Sequence, residues 1–368
     1  MTFLDLIKIK SEVLCWGIKT NNTAEQIYQI QHPTAHKRTG NVGLHLLLDD
    51  KLVINAIYGE KFSETSPYHL EKTKNGFILC KNSDDICQFK TIQPPAWYFK
   101  KTKDGTLMSN IFLQEGKETL ITAIWNNCCY FSNNTQCRFC VLGYEKGVEM
   151  KKVDQIAETV RVALQENPNH YVHLTGGNTF SSDHGIAYYE KYVKAIRAVN
   201  KSVPISLEVA PPNDCLWLKK LADAGANGFS INIEVWDEKK RKVICPGKSK
   251  IKRKLYFAAW KKGVELLGKY KISSMLIVGL DSKESIKDGV KSLIKIGVKP
   301  TLIPFRPFSK GQLLYLSPPN PEEFMELSEF AGREMAKNNA DYNLFVGCEH
   351  CGACTMENDY LRIIKKSS

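Results

Sequence analysis

The residues best able to do redox or metal chemistry are cysteines, and they are grouped. Cys128 and Cys129 lie shortly before Cys137 and Cys140. The two-residue gap between Cys137 and Cys140 lets both thiolates converge on one metal centre, and Cys128 or Cys129 supplies a third. Three thiolates do not close a tetrahedral structural site. They do hold a [4Fe–4S] cluster with one iron left for an exchangeable ligand. Phe139, directly before the last cysteine, would set an aromatic face beside such a cluster, available for stacking on a planar base. The same residues allow a zinc knuckle with Cys128, Cys129, Cys137 and Cys140 as four ligands, or plain buried thiols.

A second group, Cys348, Cys351 and Cys354, has the C-x2-C-x2-C spacing that begins a ferredoxin-type loop. No cysteine follows residue 354. A substrate, Cys215, Cys245 or His350 would therefore complete an iron–sulfur site, whereas three cysteines with His350 would suit zinc. Cys15, Cys80 and Cys87 stand apart and read as small buried hydrophobes. The eight histidines form no compact ligand set. His173, inside an apolar run, reads as a satisfied core histidine.

These groups are positioned by two kinds of pattern. Residues 1–118 read as an α+β region opened by an amphipathic helix near residues 3–14. Three hairpins follow: Gly43–Leu48 with Leu52–Tyr58, Gly76–Cys80 with Ile86–Ile92, and Trp97–Lys101 with Leu107–Leu113. From residue 119 apolar runs alternate with helical periodicity. Strands are expected at Leu120–Trp125, Tyr171–Thr175, Pro204–Val209, Gly228–Val235, Ser273–Val278 and Pro300–Phe305, with helices near 152–166, 185–199, 214–224, 250–269 and 283–296. Six β/α units in succession predict a partial (β/α)6 TIM-like barrel over residues 119–310. The first cysteine group then falls at the C-terminal strand ends, where barrels of this kind carry their chemistry. Residues 311–368 contribute a helix near Pro321–Lys337 and a Cys-rich C-terminal tail.

Glu208 and Glu234 close the third and fourth runs. A carboxylate within an apolar strand costs several kcal/mol unless partnered, so each is expected to have a role or to face solvent at the strand end. Arg306 ends the sixth run, where a guanidinium could clamp an anion bidentately.

Composition narrows the class. With 368 residues, 43% hydrophobic and 24% charged, the chain is long enough for a large core and is neither wholly disordered nor a small disulfide scaffold. No apolar run approaches the ~18 residues of a membrane span, and the charges at Asp5, Lys8 and Lys10 deny the N-terminus a signal peptide's apolar core. A cytoplasmic protein is expected, a setting where cysteine clusters serve metal or catalysis rather than disulfides. The net charge of +12 is spread in short lysine groups and reads as a solvated surface. A zinc-stabilised RNA-binding module is the rival from outside the enzymes. It would need basic residues around the knuckles, but Arg138 stands alone in one loop and none lies between Cys348 and Cys354; no nucleic acid or membrane partner is expected.

Taken together, residues 119–310 resemble the radical S-adenosylmethionine (radical SAM) superfamily. The resemblance rests on the C-x2-C of Cys137 and Cys140, on Phe139, and on Leu174-Thr175-Gly176-Gly177-Asn178 ending the second strand. The first gap departs from the usual C-x3-C: it is C-x8-C from Cys128 or C-x7-C from Cys129. The resemblance favours Cys128, with Asn126 as the small polar residue two before it. It implies a [4Fe–4S] cluster that binds SAM and cleaves it reductively, so that the resulting 5′-deoxyadenosyl radical abstracts hydrogen from a small-molecule substrate. It also implies an electron donor such as flavodoxin or ferredoxin. Thr175, Gly176, Gly177 and Asn178 would meet the methionine amino group, with Asn178 replacing the usual acid. Glu208 would bind ribose or substrate, and Ile277 and Val278 would pack on adenine. Glu234 and Arg306 are the candidate catalytic residues. Glu234 through Lys248 resembles the biotin synthase and lipoyl synthase branch, in which Arg241 would hold the methionine carboxylate. The N-terminal layout resembles a radical SAM family encoded beside nitrilases. A second Fe–S cluster at Cys348, Cys351 and Cys354, with zinc as its alternative, and a SAM-independent iron–sulfur oxidoreductase stay open at this level.

Overall fold

The computed structural model describes residues 1–34, 43–144, 150–341, 343 and 347–366. The chain begins with helix α1 (Phe3–Trp16), opened by a capping box between Thr2 and Asp5, and α2 (Asn22–Gln31), capped by Asn21. Strands β1 (Leu44–Leu48) and β2 (Leu52–Ala56) form the first expected hairpin. Asp49 and Asp50 both take positive φ, 48° and 55°, at the centre of the turn that Lys51 N closes on the Leu48 carbonyl at 3.0 Å. Strands β3 (Tyr68–Thr73), β4 (Gly76–Lys81) and β5 (Asp84–Thr91) complete an antiparallel sheet in the order β2-β1-β5-β4-β3. The β4–β5 hairpin is the second expected one.

The third expected hairpin does not form. Residues 96–99 and 108–110 are single 3₁₀ turns, joined only by an isolated Lys101–Leu107 bridge. Trp97 and Tyr98 are both buried, with rings packed edge to face at 4.6 Å. A strand cannot bury two successive side chains on one face. The helix expected near residues 3–14 forms as α1, and it is more enclosed than a single apolar stripe requires. Leu6, Ile7 and Ile9 through Cys15 are all buried, because the helix has neighbours on several sides.

The larger sheet begins with the antiparallel edge strand β6 (Leu113–Glu115), then β7 (Thr119–Trp125), short helix α3 (Cys129–Ser132), α4 (Val153–Glu166), β8 (Tyr171–Gly176), α5 (Ala187–Val199), β9 (Ile205–Glu208), α6 (Leu216–Ala224) and β10 (Gly228–Ser230). Helices α7 (Glu238–Ile244) and α8 (Arg253–Leu267), strand β11 (Ile272–Val278), α9 (Lys283–Lys295), β12 (Lys299–Pro304) and α10 (Pro321–Lys337) follow. From β7 to β12 every neighbouring pair is parallel, in simple sequence order. This is the expected partial barrel, open between β12 and β6. One face of each strand is apolar: Val172, Leu174, Ile205, Leu207, Phe229, Ile272, Leu276 and Leu302 join the core beneath the helices. The concave face is polar. His173 Nδ1 lies 2.6 Å from Ser206 Oγ, and Ser273 Oγ donates to Ser230 Oγ at 3.0 Å. Interiors of closed barrels are usually filled by branched apolar residues.

The fourth strand stops at Ser230, five residues before the expected Val235. Glu234 takes φ 61° and keeps only an isolated bridge to Leu276. Such a conformation is uncommon for a non-glycine residue, yet Glu234 N donates to the Met275 carbonyl and the Glu234 carbonyl accepts from Ile277 N, each at 2.9 Å, so the residue stays tied to β11.

The tail runs through α11 (Cys348–Cys351) and α12 (Glu357–Lys366), which packs on α10, and it enters against the concave face. Gly347 (φ 103°) presses on it so closely that a Cβ there would collide with Ser206 Oγ. Lys10 donates to Asp359 Oδ2 at 2.7 Å and to the Gly352 carbonyl at 2.6 Å. Asn55 N donates to the Ala353 carbonyl at 3.0 Å, and Lys299 Nζ to Glu357 Oε1 at 3.1 Å. Among the described residues, no helix is long and apolar enough to cross a membrane.

Candidate active site

Three loops meet at the C-terminal ends of the parallel strands. The first carries the cysteines between β7 and α4. Cys128 precedes α3, and Cys129 N donates to the Asn178 carbonyl at 2.8 Å. The second is the diglycine loop after β8. A Cβ on Gly177 would stand 2.6 Å from the Cys128 Cα and N, so only glycine allows this approach. The third follows α7. Arg138 N donates to the Ile244 carbonyl and Gly247 N to the Thr135 carbonyl, each at 2.8 Å. Cys140 N donates to the Cys137 carbonyl at 2.9 Å, closing the C-x2-C turn.

The thiols of this region act on one another. The Cys140 thiol is pushed up to about 12 by burial and then by Cys137, with Cys128 and Glu234 adding. Cys137 is raised well above the ordinary thiol range by its hydrogen bond with Cys245, by burial and by the charges of Cys245 and Glu234. Cys129 is pushed up to about 12 by burial and by Cys128. Buried thiols this close ionise only with a cationic centre among them, and that donor chemistry fits an iron–sulfur cluster.

Single-ion geometry fits less well. A tetrahedral zinc with bonds of about 2.3 Å brings its sulfurs to about 3.8 Å from one another. Among the described residues, the trio whose ligand atoms all lie within 4.8 Å of one another is His69, Glu71 and Cys80. Neither cysteine group gathers three thiols so tightly. A cluster binds each thiolate to a different iron and so needs no such convergence.

An apolar wall stands beside the cysteine loop: Phe139 and Cys137 pack with Val235, Ile244, Ile277, Leu280 and Phe305. Ile277 belongs to it, but Val278 lies on the other face of β11, in the main core. Alternation along the strand separates the two residues expected to share the adenine.

Both glutamates face the mouth. Glu208 Oε1 accepts from Asn232 Nδ2 at 2.9 Å, and its Oε2 lies 3.6 Å from His173 Nε2. Burial raises Glu208, but hydrogen bonds from His173 and Thr175 and the charge of Lys248 outweigh it and hold the carboxyl below its usual range. Glu234 Oε1 pairs with Lys248 Nζ, and its buried Oε2 has no hydrogen-bond partner. Burial lifts Glu234, while Lys248 is held well above the ordinary lysine range because the attraction of Glu234 outweighs burial. Lys248 is the charged residue that sequence reasoning missed, and no local motif marks it. It reaches the mouth because the chain turns back after α7.

Both arginines are engaged elsewhere. The Arg241 guanidinium donates to the Lys248 carbonyl at 3.0 Å and the Ile251 carbonyl at 3.3 Å, and lies over the Tyr256 ring. It braces the loop carrying Lys248. Arg306 Nε donates to the Leu14 carbonyl and Nη1 to Asn55 Oδ1, each at 3.1 Å, and its charge and hydrogen bonding act on Cys354. It therefore belongs with the tail.

Cys351 and Cys354 are both raised by burial, Cys351 to about 12, with Glu115 adding and Lys10 opposing. Cys351 Sγ lies against Gly116, and the His350 ring sits 4.3 Å from that of Tyr171. Gly116 and Tyr171 mark where β7 and β8 begin, whereas the first cysteine loop follows where β7 ends. A seven-residue strand spans roughly 20 Å, which sets the scale separating Cys351 from that loop. Cys245, offered above as a ligand for the tail, instead hydrogen-bonds Cys137. Cys215 begins α6, on the helical layer of the half-barrel.

The family model described as the Radical SAM superfamily matches residues 127–293. A curated relative, bacteriochlorophyllide c C-7(1)-hydroxylase of Chlorobaculum limnaeum, is 25% identical over 224 residues, covering 54% of this chain and 55% of the relative. The chain thus spans about half the length of the curated relative it matches. Two solved structures are similar at 14% identity. The FeFe-hydrogenase maturase HydG of Carboxydothermus hydrogenoformans has a TM-score of 0.47 over 67% of this chain and 59% of that one. The radical S-adenosylmethionine methyltransferase TsrM of Kitasatospora setae, with cobalamin and a [4Fe–4S] cluster bound, has 0.41 over 66% and 48%.

Proposed function

This chain carries a domain of the radical SAM superfamily, and from that premise we propose that Cys128, Cys137 and Cys140 hold its [4Fe–4S] cluster, with SAM between the diglycine loop, Glu208 and the wall of Phe139 and Ile277. The observation that supports this reading best is the interlock of the cysteine and diglycine loops at Gly177 and Cys128. When bound, the cluster and SAM supply one electron and an organic radical able to take hydrogen from an unreactive C–H bond.

The remaining work falls to this chain's own residues. Glu208, kept ionised by His173 and Thr175, accepts hydrogen bonds from ribose hydroxyls. The Asn178 side-chain carbonyl serves the methionine amino group in place of a carboxylate. Phe139 and Ile277 stack on adenine and exclude water. Ser230, Asn232 and Ser273 give the concave face polar groups suited to a small molecule, with the Glu234–Lys248 pair at its entrance, while His173 and Ser206 lie under Gly347 of the tail. The hydroxylation named for the curated relative is itself chemistry at a carbon centre, and hydrogen abstraction is the class of step we assign here. Cys348, Cys351 and Cys354 hold a second Fe–S cluster under Arg306, and a flavodoxin or ferredoxin supplies electrons.

The test is anaerobic reconstitution followed by reduction with SAM present. The wild type forms 5′-deoxyadenosine and methionine. Gly177→Ala lowers that yield at least roughly tenfold, because its Cβ displaces the backbone at Cys128. A colourless, zinc-loaded wild type would overturn the cluster. An iron–sulfur protein that leaves SAM intact would favour the SAM-independent oxidoreductase.

A further inference from the structure

A separate set of donors lies on the N-terminal sheet. His69 and Glu71 are two apart on β3 and share a face, with His69 Nε2 3.1 Å from Glu71 Oε1. Cys80 is paired directly across from His69 on β4 and is only 2% exposed. Tyr68, Leu70 and Leu79 occupy the opposite face, in the core. The ligand atoms of His69, Glu71 and Cys80 all lie within 4.8 Å of one another, the scale of a single ion.

The backbone adds a fourth donor. Leu79 pairs with Cys87 on β5, so an unbroken antiparallel register would set Cys80 opposite Ile86. The register slips between Leu79 and Cys80, and Cys80 pairs with Asp85 instead. Cys80 Sγ lies 3.6 Å from Asp85 Oδ1. The bulge thus exchanges an apolar neighbour for a carboxylate, and bulges commonly re-aim a side chain in this way.

We propose that His69, Glu71, Cys80 and Asp85 form a zinc site that pins the edge strand β3 to β4 and β5. One thiolate, one imidazole and two carboxylates suit borderline-soft Zn²⁺, whereas Mg²⁺ and Ca²⁺ take oxygen donors alone. The single thiolate excludes an Fe–S cluster. Binding replaces the Cys80 thiol proton, which leaves to solvent, so affinity rises with pH. No redox step is involved. The site stands on the N-terminal sheet, apart from both cysteine groups of the half-barrel.

The experiment uses the full chain, reconstituted anaerobically with iron and sulfide, exposed to Zn²⁺ and passed over a chelating resin. Zinc content and zinc-edge X-ray absorption are then measured. The expected result is about one zinc per chain with one sulfur neighbour near about 2.3 Å and the rest nitrogen or oxygen near about 2.0–2.2 Å. His69→Ala and Cys80→Ser weaken binding at least roughly a hundredfold. Glu71→Gln, at an exposed position, weakens it with unchanged circular dichroism. Cys351→Ala/Cys354→Ala leaves the zinc in place. Zinc surrounded by three or more sulfurs, zinc unaffected in His69→Ala and Cys80→Ser, or no retained zinc would each overturn the proposal.

Discussion

Cys137→Ala/Cys140→Ala is expected to lose about four irons per chain and to lower 5′-deoxyadenosine formation by more than roughly a hundredfold. Both thiols are half-buried in one turn, and neither Cys245 nor Cys129 can replace two ligands at once. Iron content and product yield, measured on wild type and variant reconstituted together, check this. The adjacent pair gives a finer version of the same test. Cys128→Ala should resemble the double variant, because Cys128 is the member that lies against Gly177 of the diglycine loop. Cys129→Ala should retain iron. Equal iron in Cys128→Ala and wild type would move the first ligand to Cys129. Cys348→Ala/Cys351→Ala/Cys354→Ala should lose a further cluster's iron while 5′-deoxyadenosine still forms.

Lys299→Met is expected to destabilise the protein by about 3–5 kcal/mol, which is the cost of stranding a buried charge. Lys299 and Glu357 have side-chain exposures of 1% and 0%, and join the start of β12 to the start of α12. Glu357 Oε2 has no hydrogen-bond partner, so Glu357 depends on Lys299 for compensation. The tail should lift from the concave face in the variant and carry its cysteines with it. Urea denaturation under anaerobic conditions should show the lower midpoint, and the iron count should fall towards that of the tail-cysteine variant. Lys299→Met/Glu357→Leu should recover most of the stability, since no charge is then left buried alone. An unchanged midpoint in Lys299→Met would show that the tail does not depend on this pair.

Much of the half-barrel is legible in the sequence because parallel strands covered by helices read as short apolar runs, as Tyr171–Thr175 and Ser273–Val278 do. The cysteine motifs are legible because their ligands are local. What escapes reading depends on turns and registers that no periodicity reports. Asn232-Ile233-Glu234-Val235 alternates like a strand, yet the regular ladder stops at Ser230 and Glu234 meets β11 only through an isolated bridge, at positive φ. Trp97 and Tyr98 look like strand residues, yet both must be buried. Helix α2, capped by Asn21, lies outside the expected elements because its short polar stretch shows little apolar periodicity. Lys248 and Cys245 reach the mouth only after the chain turns at α7. Arg306 sits where its strand ends, as expected, but its long side chain extends to Leu14 and Asn55 rather than to the mouth. Cys80 looks solitary along the chain and acquires neighbours only through the register of three strands.

The central claim is an iron at the mouth that lacks a protein ligand and accepts one from SAM. Pulsed electron paramagnetic resonance on the reduced tail-cysteine variant, mixed with SAM isotopically labelled at its amino nitrogen, tests it most directly. An altered cluster signal carrying a magnetic coupling to the labelled nitrogen is expected. A cluster spectrum identical with and without SAM would contradict it.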